Sequence, residues 1–282
     1  MTLRPASAHP RHLRPAGRST SRLQSLVLVA GSIALFAAGC SSTATDASSA
    51  DSASTDGMPT SSWSYTGDNG PQAWGQLSPE FAACSEGTRQ SPIDIKDPTP
   101  TKRKPPVFDY SDGTSEVENN GHSIQAFSGP GNSMSVDGVT YSLERMHFHS
   151  PSETEIDGAR YPIEAHFVHQ ARSGAIAVFA VLFTEGKNSS GWQSFINQMD
   201  LPDESSDITK IAWSQMLPNK FESVRFDGSL TTPGCTEGLG WLVATDPVEI
   251  SSDQINKFRS AYGDNSRPVQ PLNGREVTVD AP

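Results

Sequence analysis

The sequence has few cysteines, few basic residues beyond its first segment and no long unbroken apolar run. Three cysteines in 282 residues exclude a small scaffold held together by disulfides. Five of the 21 basic and three of the 32 acidic residues precede Trp63, so the remainder carries 16 basic and 29 acidic residues, a net charge of −13. This charge repels polyanions, and we do not expect nucleic acid as a partner.

The first 39 residues have the pattern of an export signal. Five arginines and no acid precede a mostly apolar run over 23–38, which polar residues interrupt. The run is short for a permanent membrane span, which favours a cleaved signal. It ends in Ala-Ala-Gly-Cys at 37–40, a sequence that resembles the bacterial lipobox, in which the cysteine becomes the lipidated first residue. The alternative is an ordinary signal peptide followed by a passenger cysteine.

We therefore predict a lipoprotein anchored through Cys40 to the outer face of the bacterial cytoplasmic membrane, with secretion or a periplasmic location as the alternative. Residues 40–62 are mostly Ser, Thr, Ala, Asp and Gly, with almost nothing to bury, and should form a flexible tether. Residues 63–282 are enough for one large domain. Outside the cytoplasm Cys84 and Cys235 can form a disulfide, the alternative being two unpaired buried thiols.

The folded part is predicted to be mainly β. Short apolar runs bounded by Gly, Pro, Asn and Asp dominate residues 91–279. The run over 175–183 does not alternate, as expected for a central strand covered on both faces. Asp-Gly pairs at 137–138 and 157–158 predict tight turns. Candidate helices are few and lie at 191–199, 208–216 and 252–262.

Three histidines form a candidate metal site. His147 and His149 are two residues apart in a predicted strand, so their side chains point to the same face. After the turn at 157–158, a hairpin return would bring His166 opposite them. Three neutral nitrogens with an open fourth position are typical of a catalytic zinc site. Glu164 lies on the same strand face as His166 and is a candidate to orient a ligand imidazole.

These histidines belong to a series of segments that resembles the α-class carbonic anhydrases. In that family zinc is held by a His-x-His and a distant Glu-x-His, the patterns found here at 147–149 and 164–166. The resemblance extends in order from Trp63 to Arg275. The other matching segments are Trp-Ser-Tyr at 63–65, Asn-Gly-Pro at 69–71, Gln-Ser-Pro-Ile-Asp-Ile at 90–95, Asn-Asn-Gly-His at 119–122, Ser-Pro-Ser-Glu at 150–153, Gly-Ser-Leu-Thr-Thr-Pro at 228–233 and Arg-Pro-Val-Gln-Pro-Leu-Asn at 267–273.

The resemblance implies a single domain with a large, twisted, mostly antiparallel central sheet and a few surface helices. It implies Zn²⁺ on His147, His149 and His166, and a coordinated water whose pKa falls to about 7, a value established on carbonic anhydrases themselves. Attack of the resulting zinc-bound hydroxide on carbon dioxide would give bicarbonate and a proton. The substrate would therefore be carbon dioxide in one direction and bicarbonate in the other.

Further roles are implied by the resemblance. Thr231 would accept a hydrogen bond from the hydroxide and donate one to Glu153, while His122 would relay the proton to buffer. Tyr65 and Asn119 would order water along the proton path. The apolar wall of the substrate pocket would include Val168, Val178, Leu230 and Trp241, with Thr232 beside it.

Three positions depart from the family pattern. Arg145 stands where a glutamine usually accepts a hydrogen bond from the first zinc histidine, and an arginine has no acceptor. Thr154 replaces a usual histidine behind the site. Gly234 replaces a second proline before Cys235, in the loop after Thr231. None of the three changes removes a predicted zinc ligand.

Two other interpretations are open. The His-x-His-x₃-Glu pattern at 147–153 also fits part of a cupin metal site, but that interpretation gives no role to Leu-Thr-Thr-Pro at 230–233. The second is a catalytically weak, carbonic anhydrase-like binding module; such modules typically lack a zinc histidine, and all three are present here. The oligomeric state is open, with a dimer as one option.

Overall fold

The computed structural model describes residues 62–280. The predicted export signal, Cys40 and nearly all of the predicted tether lie outside the described residues. Among the residues that are described, no helix has both the length and the apolar character needed to cross a bilayer.

The regular structure of residues 62–280 is mainly strand. The α-helices are α1 (Trp74–Leu77), α2 (Ala83–Glu86), α3 (Ser190–Ile196) and α4 (Ser252–Tyr262). The strands are β1 (Asp94–Ile95), β2 (Thr99–Thr101), β3 (Val107–Asp109), β4 (Gly113–Asn119), β5 (Ile124–Phe127), β6 (Ser133–Val136), β7 (Val139–His149), β8 (Glu155–Ile156), β9 (Ala159–Arg160), β10 (Ile163–Ala171), β11 (Ile176–Glu185), β12 (Ser205–Ile211), β13 (Ser223–Ser229), β14 (Glu237–Ala244), β15 (Val248–Ile250) and β16 (Thr278–Asp280).

Most of these strands form one large mixed sheet. Its order is β12-β4-β5-β7-β10-β11-β14-β13-β16-β2, with β15 beside β11, β6 beside β7 and β3 beside β6. The pairs are mostly antiparallel, but β11 runs parallel to β14 and β15, and β16 runs parallel to β2. Strands β1, β8 and β9 form a small separate sheet. The mainly-β prediction, with a large central sheet and few helices, is confirmed.

The two faces of the central strands carry different side chains, because successive residues of a strand point in opposite directions. Phe167 and Phe179 belong to a large apolar cluster that also includes Trp192 of α3 and Phe258 of α4. Val168, Val178 and Ala180, which point to the opposite face, belong to a second cluster that also includes residues of β13 and β14. Strand β11 is buried over most of its length, as predicted for a strand covered on both sides.

Both predicted Asp-Gly turns are present. Asp137 and Gly138 have φ values of 50° and 80°, and Asp157 and Gly158 have values of 52° and 78°. Positive φ at both central residues is the requirement of a two-residue hairpin turn that follows the twist of its strands. The second turn joins β8 to β9, and this short hairpin lies in the connection between β7 and β10.

The helix predicted over 208–216 is wrong. Residues Ser205–Ile211 form the edge strand β12, which pairs with β4, and a short 3₁₀ turn follows at Trp213–Gln215. The three-residue spacing of Ile208 and Ile211 resembles a helical period, but Ile208 is exposed and Ile211 is buried. Pairing with β4 therefore decides the conformation, and the β-branched residues of this segment favour it.

The predicted disulfide between Cys84 and Cys235 is confirmed. It joins α2 to the loop between β13 and β14, and both residues are buried beside Trp74. Gly234, just before Cys235, has a φ of 96°. Proline is fixed near −65°, so this backbone excludes proline at position 234 and accounts for the glycine found there.

Removal of this disulfide should destabilise the domain. The bond closes a span of 151 residues, so replacing both cysteines by serine releases a large loop in the unfolded state. We expect the free energy of unfolding to fall by about 2 to 5 kcal/mol. Denaturant unfolding of the Cys84→Ser, Cys235→Ser double variant measures this, with reduced and oxidised wild type as controls. An unchanged midpoint would contradict the expectation.

Candidate active site

Three histidines meet in the middle of the large sheet. The antiparallel register of β7 and β10 places His166 opposite His147 and Glu164 opposite His149. The three imidazole rings lie 4.6 to 5.3 Å apart, centroid to centroid. Each ring offers one nitrogen, and these three atoms lie within 4.8 Å of one another. The sequence prediction that these side chains converge is confirmed.

In His149 and His166, the contact made by one ring nitrogen determines that the other nitrogen faces the space between the three histidines. Nδ1 of His149 donates to the backbone carbonyl of Asn265 at 2.8 Å, and its buried Nε2 has no partner among the described residues. Nε2 of His166 lies 3.0 Å from Oε1 of Glu164, which leaves its Nδ1 for the shared space. Buried imidazole nitrogens without partners are unusual unless a ligand takes them. One nitrogen from each of the three rings, Nε2 of His149 among them, fits Zn²⁺.

The protonation of the rings also suits a metal. Burial lowers the pKa of His147 well below its ordinary value, and the neighbouring His149, His166 and Arg145 lower it further. Burial likewise lowers the pKa of His149, against the opposing effects of its backbone hydrogen bond and of Glu164. Both rings are therefore neutral at neutral pH, the state in which an imidazole binds a metal.

Glu164 is a fully buried carboxylate with protein donors on both oxygens. Thr154 donates its backbone N–H to Oε2 at 2.7 Å and its hydroxyl to Oε1 at 2.8 Å. Burial alone would raise the pKa of Glu164, but His166 and these hydrogen bonds outweigh it and lower the pKa. The carboxylate is therefore ionised, in contact with His166. Thr154, which stands where the family usually has a histidine, thus supplies a hydrogen bond to each oxygen of this carboxylate.

His147 differs from the other two histidines. Its buried Nδ1 has no hydrogen-bond partner among residues 62–280. Arg145, on the same strand face, is only partly exposed, and burial lowers its pKa. An arginine has only donors, so it cannot accept the N–H of His147. The departure at position 145 thus leaves this imidazole without the acceptor that its two neighbours have.

Glu153 and Thr231 lie beside the histidines. Oε1 of Glu153 accepts the backbone N–H of Arg267 at 2.8 Å and lies 3.4 Å from Nδ1 of His149. Its Oε2 has no well-aligned partner, although the Thr231 side chain lies close enough to lower the pKa of the carboxyl. Burial dominates and raises that pKa to about 7, against the lowering effects of His166, Arg267 and Thr231. Thr231 is itself buried.

The predicted apolar wall is assembled next to the histidines. Val168, Val178 and Trp241 belong to one buried cluster, and Leu230 packs against it. The Trp241 ring lies 4.9 Å from the His166 ring and donates its N–H to the carbonyl of Ser229 at 3.0 Å. Thr232 is partly exposed in the adjoining loop, where its carbonyl accepts the N–H of Cys235.

His122 and Tyr65 both pack against Trp63, and this group of rings lies near His149. The His122 ring stacks on Trp63 at 3.8 Å with an interplanar angle of 14°, and burial lowers its pKa. The Tyr65 ring lies 6.4 Å from that of His149, and burial, followed by the charge of Glu153, raises the Tyr65 pKa well above its ordinary value. His122 is partly exposed, as a group that exchanges protons with solvent must be.

Asn119, predicted to order water, has no polar atom left for it. Its amide nitrogen donates to the carbonyl of Leu201 at 2.7 Å and to Asp203 at 3.2 Å. Its amide oxygen accepts from the backbone of Gly121 and from the hydroxyl of Tyr262. An amide has two donors and two acceptor positions, and protein groups fill all four. We therefore assign Asn119 a structural role.

Sequence reasoning missed Asn265. Its backbone carbonyl orients His149, and its side chain accepts from the N–H of Ser150 at 2.7 Å and donates to the carbonyl of Phe148 at 3.1 Å. The nearby segment that resembles the carbonic anhydrase family, at 267–273, begins two residues after Asn265. A contact made by a backbone carbonyl leaves no residue pattern by which to find it.

Known proteins resemble this chain over most of its length. The family model for eukaryotic-type carbonic anhydrase matches residues 69–281. The carbonic anhydrase of Pectobacterium carotovorum is 42% identical over 221 residues, covering 76% of this chain and 89% of that protein. The carbonic anhydrase of Neisseria gonorrhoeae is 43% identical over 218 residues, covering 76% and 86%.

Solved structures agree with the sequence comparisons. The α-carbonic anhydrase of Thermovibrio ammonificans, solved with the inhibitor sulfanilamide, matches with a TM-score of 0.75 and 41% identity. The match covers 77% of this chain and 99% of that one. With the family model spanning most of the chain and relatives above 40% identity, the protein belongs to the α-class, or eukaryotic-type, carbonic anhydrase family.

Proposed function

We propose that this protein is a zinc-dependent carbonic anhydrase that interconverts carbon dioxide and bicarbonate. The observation that carries the proposal is the convergence of three histidine nitrogens beside an apolar wall and a buried Thr231–Glu153 pair. A cupin-type site would leave the threonine and the wall without a role. A binding module has no need of three metal ligands that converge on one point.

His147, His149 and His166 would hold the zinc ion. When bound, zinc supplies the Lewis acidity that makes water nucleophilic near neutral pH, the behaviour for which carbonic anhydrases are the reference case. Its positive charge would also favour the ionised form of Glu153, whose pKa burial otherwise raises. Oε2 of the ionised Glu153 can then accept a hydrogen bond from a hydroxyl group.

The chain's own groups orient the reactants. The hydroxyl of Thr231 can donate a hydrogen bond to Oε2 of Glu153 and accept one from the nucleophile. Because the nucleophile's proton is then directed at Thr231, its remaining lone pair points in a fixed direction. Val168, Val178 and Trp241 offer carbon dioxide an apolar surface that does not compete by hydrogen bonding. His122, which is partly exposed and whose pKa burial lowers, would carry the released proton toward buffer.

Loss of one histidine should remove both zinc and activity. We expect His149→Ala to bind far less than one zinc per chain, because two imidazoles and water make a weak site. Stopped-flow hydration of carbon dioxide by residues 63–282, with zinc content measured on the same samples, should show rapid turnover in the wild type and loss of it in the variant. Zinc without hydration in the wild type would favour the binding module.

Thr231→Val is the control that separates chemistry from metal binding. Valine keeps the size of threonine and removes the hydroxyl, so zinc content should stay at the wild-type level. Hydration should slow by about 100-fold or more, the usual contribution of a positioned proton-transfer group. Loss of zinc from this variant would show that Thr231 has a structural role instead.

The stacked position of His122 predicts its titration. Burial against Trp63 disfavours the charged ring, so its pKa should lie below its ordinary value, and Trp63→Ala should raise the pKa by exposing the ring. NMR titration of the imidazole carbon-bound protons measures both values. His122→Ala should also slow turnover in weak buffer without loss of zinc. A pKa unchanged in Trp63→Ala would contradict the assigned cause.

We also propose the domain order given by the sequence: an export signal over 1–39, a tether over 40–62 and the catalytic domain over 63–282, with lipid on Cys40. The apolar run that ends at a cysteine, together with a polar segment before the first matched residue 69, supports this order. The catalytic site would then face the extracytoplasmic space.

Lipidation can be tested on the full-length chain in bacteria. Wild-type protein should sediment with membranes and resist a high-salt wash, because two or three acyl chains hold it there. Cys40→Ser should release it to the soluble fraction, while Cys84→Ser should leave its membrane association unchanged. Equal sedimentation of wild type and Cys40→Ser would contradict a lipid anchor.

A further inference from the structure

We infer that Thr154 is a positioning residue for the metal ligand His166, acting through Glu164; this inference rests on the proposed function. Both groups of Thr154 that donate hydrogen bonds, the backbone N–H and the hydroxyl, are directed to Glu164 and not to a histidine. Its two hydrogen bonds both end on the carboxylate that faces His166. It therefore controls the orientation of a ligand without contacting the reacting groups.

The contacts fix the plane of the carboxylate. Thr154, Glu164 and His166 are all almost completely buried, so water does not compete for their polar atoms. The backbone N–H of Thr154 holds Oε2 at 2.7 Å, and its hydroxyl holds Oε1 at 2.8 Å. With one donor on each oxygen, the carboxylate cannot rotate about its terminal bond without losing a hydrogen bond.

The direction of this carboxylate matters because the contact with His166 is sensitive to it. Nε2 of His166 lies 3.0 Å from Oε1, a hydrogen-bond distance, but its N–H is not well aligned with the oxygen. The hydroxyl of Thr154 shares that same oxygen. A small rotation of the carboxylate would lengthen the His166 contact and release the ring from the orientation that presents Nδ1.

Thr154 is itself held firmly enough to act as a support. Its carbonyl accepts the hydroxyl of Ser152 at 2.7 Å, and that hydroxyl oxygen accepts the N–H of Tyr161 at 2.9 Å. The N–H of Ser152 donates in turn to the carbonyl of Tyr161. The next residue, Glu155, pairs with the short strand β1. The β-branched side chain of threonine adds a stiff χ1 angle.

The unequal support of the three histidines makes this contact important in this chain. His149 has the carbonyl of Asn265, whereas Nδ1 of His147 has no acceptor among residues 62–280. Two protein acceptors therefore orient the trio, and Glu164 is one of them. Partners of this kind typically change metal affinity by 10- to 100-fold in metalloenzymes, carbonic anhydrases among them.

The test is the rate at which zinc leaves the loaded protein. Wild type, Thr154→Val, Thr154→Ser, Glu164→Gln and the Thr154→Val, Glu164→Gln double variant are mixed with excess chelator, and zinc release is followed by absorbance. We expect Thr154→Val to release zinc about 10-fold faster. Thr154→Ser keeps the hydroxyl and should release zinc within about 2-fold of the wild-type rate. Thr154→Ala replaces Thr154→Val if the valine variant does not fold.

The double variant tests the route of action. If Thr154 acts through Glu164, adding Thr154→Val to Glu164→Gln should change zinc release much less than the same substitution in the wild type. Thr278→Val is the matched control, since Thr278 is also buried and its hydroxyl also bonds the protein, to the carbonyl of Arg225 at 3.5 Å. It should leave zinc release unchanged.

Four results would overturn the inference. Zinc release from Thr154→Val at the wild-type rate, with or without a lowered unfolding midpoint, would make Thr154 a packing residue. If Thr154→Val accelerates zinc release equally in the wild type and in Glu164→Gln, Thr154 acts by a route other than Glu164. Failure of Thr154→Ser to restore slow release would exclude the hydroxyl. If the wild type binds no zinc, the proposed function is overturned together with this inference. If the wild type binds zinc and is active, and Thr154→Val releases zinc at the wild-type rate, this inference alone is overturned.

Discussion

The register of β7 against β10 is the constraint on which the site depends. Because side chains alternate along a strand, pairing His166 with His147 and Glu164 with His149 puts four functional groups on one face. A slip of β10 by one residue would turn His166 and Glu164 toward the apolar cluster on the other face and bring Phe167 to the histidine face. The buried aromatic residues on that face therefore fix the position of the histidines.

Two buried carboxylates in this site show how partners decide the charge of a group. Glu153 and Glu164 are both completely buried, and burial raises the pKa of each. Glu164 has donors on both oxygens and His166 beside it, and its pKa is lowered. Glu153 has one well-placed donor, the backbone of Arg267, and its pKa rises to about 7. Its second oxygen is left for the hydroxyl of Thr231, as the proposed function requires.

Much of this arrangement could be predicted from sequence because it depends on local periodicity and on recognisable segments. The His-x-His spacing, the two Asp-Gly turns and the unbroken apolar strand β11 each follow from residue order. The strand at 205–211 could not be predicted, since pairing with β4 outweighs its local pattern. The support given by Asn265 was missed because it comes from a backbone carbonyl, and Asn119 was misjudged because its partners, such as Leu201, lie far along the chain.

Segments that are far apart in the sequence hold Glu153 and the Thr231 loop in place independently of the histidines. The guanidinium of Arg267 donates to Gln90 at 2.8 Å and to the carbonyl of Cys84 at 2.9 Å, while Gln90 donates to the carbonyl of Cys235. The disulfide between the two cysteines closes the same set of contacts. Since the backbone of Arg267 also binds Glu153, the Thr231 loop and its carboxylate share one support. Their relative position is thus fixed by the fold before any ligand reaches the histidines, as transition-state positioning requires.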